Sequence, residues 1–122
     1  MHNFKDLDIW QLSLDLGVKI YEITFVFPKS EIFGLSNQLR RASVSVSSNI
    51  AEGSGRSTDK DFRNFLFMSI GSLREIESQL LFSEKLGYFN RSKIENVLGM
   101  IDILCAKING FVKFLENRIK KI

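Results

Sequence analysis

The sequence has very few of the residues that build covalent or metal-bound scaffolds. Its 122 residues include one cysteine, one proline and one tryptophan. The lone Cys105 excludes an intrachain disulfide, and it has no neighbouring Cys or His with which to form a metal framework. Pro28 alone leaves little room for a proline-rich linker. The chain has the length of one domain, which is enough to enclose a hydrophobic core.

Long apolar runs are also missing. No stretch approaches the roughly 18 apolar residues of a membrane span. The first residues, Met1 to Asp6, lack the apolar segment of a signal peptide. We therefore expect a soluble cytoplasmic protein with no membrane partner.

Neither charge nor histidine points to a reaction. Lys and Arg number 17 against 14 Asp and Glu, a formal net charge of +3, which is compatible with nucleic acid or anionic surfaces but does not require them. The only histidine is His2, in a terminus that we expect to be mobile, so the Glu-x-x-His motifs of di-iron bundles are absent. With no catalytic constellation present, we predict a protein that is not an enzyme and that has no cofactor or metal site.

Apolar residues recur at helical spacing through most of the chain, which predicts an all-α fold. Four helical segments with short connections favour antiparallel neighbours and an up-down-up-down four-helix bundle. The helices are predicted at about residues 6–27, 35–52, 59–86 and 92–120. We see no repeat and no domain boundary, so we expect a single domain over residues 1–122.

Helix ends are predicted from capping residues. Asp6 or Asp8 is expected to cap the first helix and Ser57 or Thr58 the third, while Ser92 and Glu95 have the spacing of a capping box for the fourth. Gly87 is expected as the residue that closes the third helix. Cys105, on the core face of the fourth helix, is interpreted as a small packed hydrophobe.

The first helix is unusual because it has two apolar faces. One side carries Leu7, Trp10, Leu14, Val18, Tyr21 and Phe25, and the nearly opposite side carries Ile9, Leu12, Leu16, Ile20 and Ile23. A surface helix of a monomer needs only one apolar stripe. The second stripe is expected to be covered by another subunit; the alternative is that two helices of the same domain enclose it.

Polar side chains form stripes beside the core faces of the second and third helices. They are Arg41, Ser45, Asn49 and Glu52 on the second helix, and Ser72, Glu75 and Gln79 on the third. We favour a buried hydrogen-bonded network that fixes the helix register over a ligand site, because charges inside a bundle must be paired.

Two further features bear on a polyanionic partner. The segment Gly53–Thr58, with Arg56, is either a phosphate cradle at the start of the third helix or a flexible turn, and we favour the turn. The candidate nucleic-acid-binding residues are basic: Arg56, Lys60, Arg63, Arg74, Lys85, Lys107, Lys113, Arg118, Lys120 and Lys121. They form either a binding surface or a solvated face. Phe67 and Phe114 lie among them, where they either stack on unpaired bases or are buried, and we favour burial.

The motifs of the first three helices resemble those of a known family. The resembling residues are Trp10-Gln11, Phe27-Pro28, Glu31, Phe33 to Leu35, Gln38 to Ala42, Ser45, Asn49 to Gly53, Phe65-Leu66, Gly71 to Leu73, Glu75, Glu77, Gln79-Leu80 and Leu86 to Tyr88. In these residues the chain resembles the small four-helix-bundle family encoded in intervening sequences of bacterial large-subunit (23S) ribosomal RNA genes. The likeness covers roughly residues 7–88.

This resemblance implies an assembly and a kinship. The assembly is a homopentamer, a ring with a central channel, and the kinship is to the accessory variability determinant protein of diversity-generating retroelements. Five copies with a formal charge of +3 each carry about fifteen positive charges, enough to attract phosphate backbones. We therefore predict a non-enzymatic oligomeric scaffold that binds RNA or DNA non-specifically. The alternative is a protein–protein adaptor, for example for a reverse transcriptase or a ribosome-associated partner.

Overall fold

Four α-helices make up most of the computed structural model, which describes residues 2–121. They are α1 (Asp8–Phe25), α2 (Leu35–Ser54), α3 (Asp59–Lys85) and α4 (Glu95–Lys120). Short 3₁₀ turns precede α1, α2 and α4, and the described residues contain no strand. The predicted all-α class is confirmed. The predicted domain 1–122 also includes Met1 and Ile122, which lie outside the described residues.

Two of the predicted helix ends are confirmed in atomic detail. The Thr58 hydroxyl accepts a hydrogen bond from the Asp61 N–H and caps α3. At the other end, Gly87 has a φ of 83°, its N–H donates to the Glu84 carbonyl and the Tyr88 N–H donates to the Ser83 carbonyl. This pair of bonds is a Schellman motif, which explains the glycine there.

The predicted caps of α1 and α4 are wrong. Neither Leu7, before α1, nor Ile94, before α4, makes a side-chain capping bond. The predicted first turns instead form 3₁₀ structure, at Phe4–Asp6 and Arg91–Lys93, so α1 begins later than residue 6 and α4 later than residue 92. Helix α1 also ends earlier than predicted, because the chain leaves the helix two residues before Phe27.

The helices pack as antiparallel neighbours in chain order, with α4 closing against α1. Across α2 and α3, the Ser69 hydroxyl donates to the Val46 carbonyl and Gln79 donates to Gln38. Along α3 the residue number increases from Ser69 to Gln79, while that of its partner on α2 decreases from Val46 to Gln38. The two helices are therefore antiparallel. The pair of Arg118 with Asp59 indicates the same arrangement for α3 and α4.

Aliphatic side chains from all four helices form one core. Its fully buried members include Leu16, Ile20, Leu39, Ile50, Leu66, Leu73, Ile76, Leu80, Ile101 and Leu104. Cys105 is buried among them, as predicted. None of the helices described here is both long and apolar enough to cross a membrane.

Buried serines allow the helices to approach closely without leaving polar atoms unpaired. The hydroxyls of Ser43, Ser54 and Ser83 donate to carbonyls three or four residues earlier in their own helices. Such bonds satisfy a hydroxyl inside the core. They explain how α2, which is rich in Ser, packs against both α1 and α3.

The N-terminal segment packs against the bundle, contrary to the expectation of a mobile terminus. The His2 N–H donates to the Ser54 carbonyl at 2.9 Å. Its imidazole centroid lies 5.3 Å from the Phe62 ring centroid and 5.6 Å from that of Phe111. Burial lowers the pKa of His2 below its ordinary value.

A polar link between two loops closes the opposite end of the bundle. Glu31 accepts one hydrogen bond from the Tyr88 hydroxyl and another from the Leu35 N–H at the start of α2. The Tyr88 ring packs against Phe27, which is buried. These donors hold the pKa of Glu31 below its ordinary value, and the same bond raises the pKa of Tyr88.

Candidate interaction surface

The two apolar faces of α1 have different environments. The inner stripe, Ile9, Leu16, Ile20 and Ile23, is buried in the core. The outer stripe, Leu14, Val18, Tyr21 and Phe25, is 41%, 59%, 45% and 82% exposed, respectively. Leu7 and Trp10, predicted for the outer side, pack against the edge of the core. The prediction of two apolar faces is confirmed, and the alternative that the domain's own helices enclose both is wrong.

The outer stripe continues into a groove between α1 and α2. This groove has a volume of about 350 Å³. Among its lining residues are Leu14, Val18 and Tyr21 from α1 and Ser43, Val44 and Ser47 from α2. Val44 is itself 50% exposed, which widens the apolar surface onto the second helix. Together, the outer stripe and Val44 present a contiguous apolar surface without a partner in the described residues.

A second, more polar cavity of about 560 Å³ adjoins this groove along α2. It is lined by Tyr21, Asn37, Arg40, Arg41, Val44 and Ser45. The Arg40 Nε donates to the Thr24 hydroxyl at 2.8 Å, and its guanidinium carbon lies 4.7 Å from the Tyr21 ring centroid. We call this cavity, with its two arginines, the arginine trough. It shares Tyr21 and Val44 with the apolar groove, so the two form one surface.

Half of the predicted nucleic-acid-binding residues are already engaged by carboxylates. The ion pairs are Arg56–Glu52 at 2.9 Å, Arg63–Glu116 at 3.7 Å, Arg74–Glu77 at 3.1 Å, Lys107–Asp8 at 2.8 Å and Arg118–Asp59 at 2.7 Å. Arg118 donates to both oxygens of Asp59 and holds the pKa of that carboxyl below its ordinary value. These side chains are less available to phosphate than the sequence suggests.

The other half are exposed lysines without an ion pair to any described residue. They are Lys60, Lys85, Lys113, Lys120 and Lys121. Lys60 and Lys85 stand near opposite ends of α3, about 37 Å apart along the helix at 1.5 Å per residue. These two lysines are therefore too far apart to contact the same phosphate. Phe67 and Phe114, which we expected to be buried, are each 47% exposed.

The predicted polar network is divided into parts, with half-buried neutral side chains and exposed charged ones. Ser72 donates to the Ser45 hydroxyl at 3.1 Å, and the Asn49 amide donates to the same oxygen at 3.0 Å. Further along the same two helices, Gln79 donates to Gln38 and to Glu75, while Glu52 pairs with Arg56. Arg41 forms no hydrogen bond with any of these residues. Arg41, Glu52 and Glu75 are exposed, so these charges are not inside the bundle.

The segment Gly53–Thr58 is a tight connection in which two backbone donors are used internally. Helix α2 continues to Ser54, and the N–H groups of Gly55 and Arg56 donate to the Glu52 and Gly53 carbonyls. A Cβ built at Gly53 would lie 2.6 Å from the Phe65 Cβ, so this glycine allows α2 and α3 to touch. The preference for a turn over a phosphate cradle stays a prediction.

No group of three or more His, Cys, Asp or Glu side chains among residues 2–121 is arranged to hold a metal ion. The structure instead draws attention to Arg40, which was not among the candidate binding residues, and to Tyr21, which was predicted only as part of an apolar face. A signal for Arg40 exists, because no Asp or Glu occurs between Glu31 and Glu52. Arginines in that interval have no carboxylate within reach on their own helix.

Comparisons with known proteins fit this fold. The model of the family described as 23S rRNA-intervening sequence protein matches residues 5–110. A crystal structure of a protein with unknown function from the S23 ribosomal protein family of Bacteroides thetaiotaomicron VPI-5482 matches with a TM-score of 0.78 and 23% identity, covering 86% of this chain and 98% of that chain. At this identity the likeness shows the fold alone. No curated protein matches the chain.

Proposed function

Because the chain belongs to the 23S rRNA-intervening sequence protein family, whose description names no reaction, we propose that it acts as a non-enzymatic, self-associating scaffold that binds RNA or DNA. The proposal has two steps. The first is association through the outer stripe of α1, and the second is attraction of a polyanion by the assembled copies.

The exposure of the outer stripe supports the first step. Contiguous exposed apolar surface of this kind marks an interaction site. Burying a large apolar side chain that is otherwise exposed contributes about 1.5–3 kcal/mol. Four such side chains, with Val44 beside them, supply a driving force for association that the isolated chain leaves unused. We propose a homopentameric ring, as the family resemblance implies.

The charge balance supports the second step only in an assembly. A single copy carries a formal net charge of +3, and much of its basic surface is neutralised by local ion pairs. Pooling several copies multiplies the net charge and the field that attracts phosphate backbones. Binding of this type is sequence-tolerant and weakens steeply as salt rises.

The experiment that tests both steps is native mass measurement of the purified protein with and without nuclease treatment. We expect one oligomeric species of five subunits. Its mass should fall after nuclease treatment, because bound nucleic acid is removed. Titration with single-stranded RNA and DNA should then give an affinity that declines strongly between about 50 and 200 mM salt. A well-behaved single chain at micromolar concentration would refute self-association, and affinity that is flat with salt would refute polyanion binding.

A second candidate function is supported by the groove between α1 and α2. Its lining is mainly apolar, as expected for a surface that receives a helix of another protein. In this case the chain is an adaptor, for a reverse transcriptase or a ribosome-associated protein, without direct contact to nucleic acid. A stoichiometric complex with such a protein that survives nuclease treatment, together with no binding to free RNA at low salt, would favour the adaptor.

A further inference from the structure

The seven arginines of the chain divide into two groups by their partners. Arg56, Arg63, Arg74, Arg91 and Arg118 each form an ion pair with a carboxylate. Arg40 and Arg41 form none with any residue from 2 to 121, and they are adjacent in sequence and line the same cavity. Arginine is the side chain best suited to bidentate pairing with carboxylate or phosphate. The two arginines without an acidic partner are therefore available to bind an anion.

The position of Arg40 is fixed before any ligand arrives. Its Nε donates to the Thr24 hydroxyl, which is buried and donates in turn to the Ile20 carbonyl at 2.7 Å. The Tyr21 ring supports the other side of the guanidinium. The two terminal nitrogens of Arg40 donate to no described residue. A guanidinium held in this way loses little conformational entropy when it binds an anion.

The other groups in the arginine trough are donors or neutral side chains. Arg41 is exposed, and Asn37 lies one helical turn before it on α2. Two carboxylates line the adjoining cavities. Glu75 lies beside Arg41, accepts a hydrogen bond from Gln79 and forms no ion pair with Arg41. Glu22 lines the apolar groove and pairs with Lys19. None of the residues lining the trough is acidic. The trough is thus a concave, positively charged surface with unused hydrogen-bond donors.

We infer that the arginine trough binds a phosphate group of a nucleic-acid backbone, with Arg40 as the fixed donor and Arg41 as the exposed one. This inference rests on the proposed polyanion-binding function and assigns it a site. It replaces the ten basic residues selected from the sequence with two that were not among them.

Phosphate fits the trough better than a protein carboxylate does. Elsewhere in this chain one guanidinium is enough to engage a carboxylate, as Arg118 does with both oxygens of Asp59. Two adjacent guanidinium groups carry two positive charges, which one carboxylate of charge −1 balances only in part, whereas consecutive phosphates of a strand supply one negative charge each. A nucleic-acid strand offers a charged phosphate at every nucleotide and so matches a paired site.

The test compares charge-matched variants in the full-length protein. Arg41→Gln and Arg40→Gln/Arg41→Gln each remove charge from the trough, while Arg74→Gln removes one charge from an exposed arginine that is ion-paired to Glu77. The probe is a labelled mixed-sequence single-stranded RNA, with a DNA of the same sequence in parallel. Affinity is measured at several salt concentrations, and subunit number is measured for each variant. Arg41→Gln leaves the Arg40–Thr24 packing intact, so it remains informative if the double variant folds poorly.

We expect Arg41→Gln to weaken binding about tenfold and to lower the slope of log affinity against log salt by about one. The double variant should lower both further, and Arg74→Gln should change both much less. If the wild type binds but Arg41→Gln and Arg74→Gln behave alike, the site is wrong while polyanion binding stands. If the wild type binds neither probe at low salt, both proposals fall. If Arg41→Gln changes the subunit number without changing the affinity, the trough meets a carboxylate of another copy, which also refutes the phosphate site.

Discussion

The two faces of α1 are nearly alike in composition and opposite in environment. Leu16 and Ile20 on the inner stripe are 1% and 0% exposed, whereas Val18, between them in sequence, is 59% exposed. Helical spacing explains why both stripes exist, but burial is possible only where the chain supplies a facing helix. The same type of side chain therefore contributes to folding on one side of α1 and is available for association on the other.

The largest effect is expected when the inner stripe is truncated. Leu16→Ala leaves a cavity in the core and should lower the free energy of unfolding by about 2–5 kcal/mol. Leu14→Ala, on the outer stripe two residues away, creates no cavity in the chain and should cost much less. Urea denaturation of both variants below the concentration at which copies associate measures the difference. Equal losses would mean that the outer stripe is buried within the chain.

Glycine substitutions extend the comparison from α1 to the rest of the bundle. At Gly53 a Cβ would lie 2.6 Å from the Phe65 Cβ and 2.9 Å from the Phe62 Cδ1, so Gly53→Ala should destabilise the fold by about 1–3 kcal/mol. Gly71, exposed in α3, has no atom within 4 Å of the position that a methyl group would occupy. There Gly71→Ala should stabilise the helix by about 0.5–1 kcal/mol. Thermal unfolding of the two variants should therefore shift in opposite directions, and shifts of the same sign would contradict the close contact of α2 with α3.

Charging the outer stripe separates association from folding. Val18→Lys places a cation near Asp15 and Glu22 on the same helix, so the stability of a single chain should change by less than about 0.5 kcal/mol. The same charge in a buried contact between copies should prevent assembly. Sedimentation of Val18→Lys should show single chains at concentrations where the wild type is oligomeric.

A matched control places the same charge elsewhere. Ile103 on α4 is 55% exposed and lies outside the outer stripe and its groove. Ile103→Lys should leave the subunit number unchanged. If it dissociates the oligomer while Val18→Lys does not, the contact surface is on α4 rather than on α1.

The smallest effect is expected for a change at Tyr88, which packs on Phe27 just beyond the inner stripe and donates a hydrogen bond to Glu31. Tyr88→Phe removes the main donor that holds the pKa of Glu31 down, so this pKa should rise towards its ordinary value of 4.5, with the Leu35 N–H retaining part of the shift. Carbon-detected NMR titration of the Glu31 carboxyl measures it. Tyr21→Phe, on the outer stripe, should leave the titration unchanged.

The sign of the pH dependence follows from the lowered pKa. A carboxyl with a lower pKa in the folded state stabilises the fold above its unfolded pKa, and that contribution is lost as pH falls through the folded value. The stability difference between wild type and Tyr88→Phe should therefore be present at neutral pH and shrink below about pH 4.5. A difference that grows on acidification would contradict the bond to Glu31.

Periodicity predicted the helices and most of the core correctly, but the predicted starts of α1 and α4 were wrong, and neither start has a side-chain cap. Both ends of α3 were predicted correctly, because the Thr58 cap and the Gly87 turn depend only on residues nearby in the sequence. The start of α2 was also predicted correctly at Leu35, but the contact of the Glu31 carboxylate, which binds the Leu35 N–H, with Tyr88 from another loop was not predicted. A contact between residues so distant in sequence leaves no local pattern.

The sequence by itself determined the four helices, the two apolar faces of α1 and the excess of positive charge. The packing of the helices determines which of the basic side chains have a carboxylate partner. Arg118 forms an ion pair with Asp59 from another helix, while Arg40 donates to a neutral hydroxyl from α1 and has no carboxylate partner among the described residues. The physical reason is that helical periodicity fixes the direction of a side chain, whereas the partner at its tip depends on how the helices are aligned across the bundle.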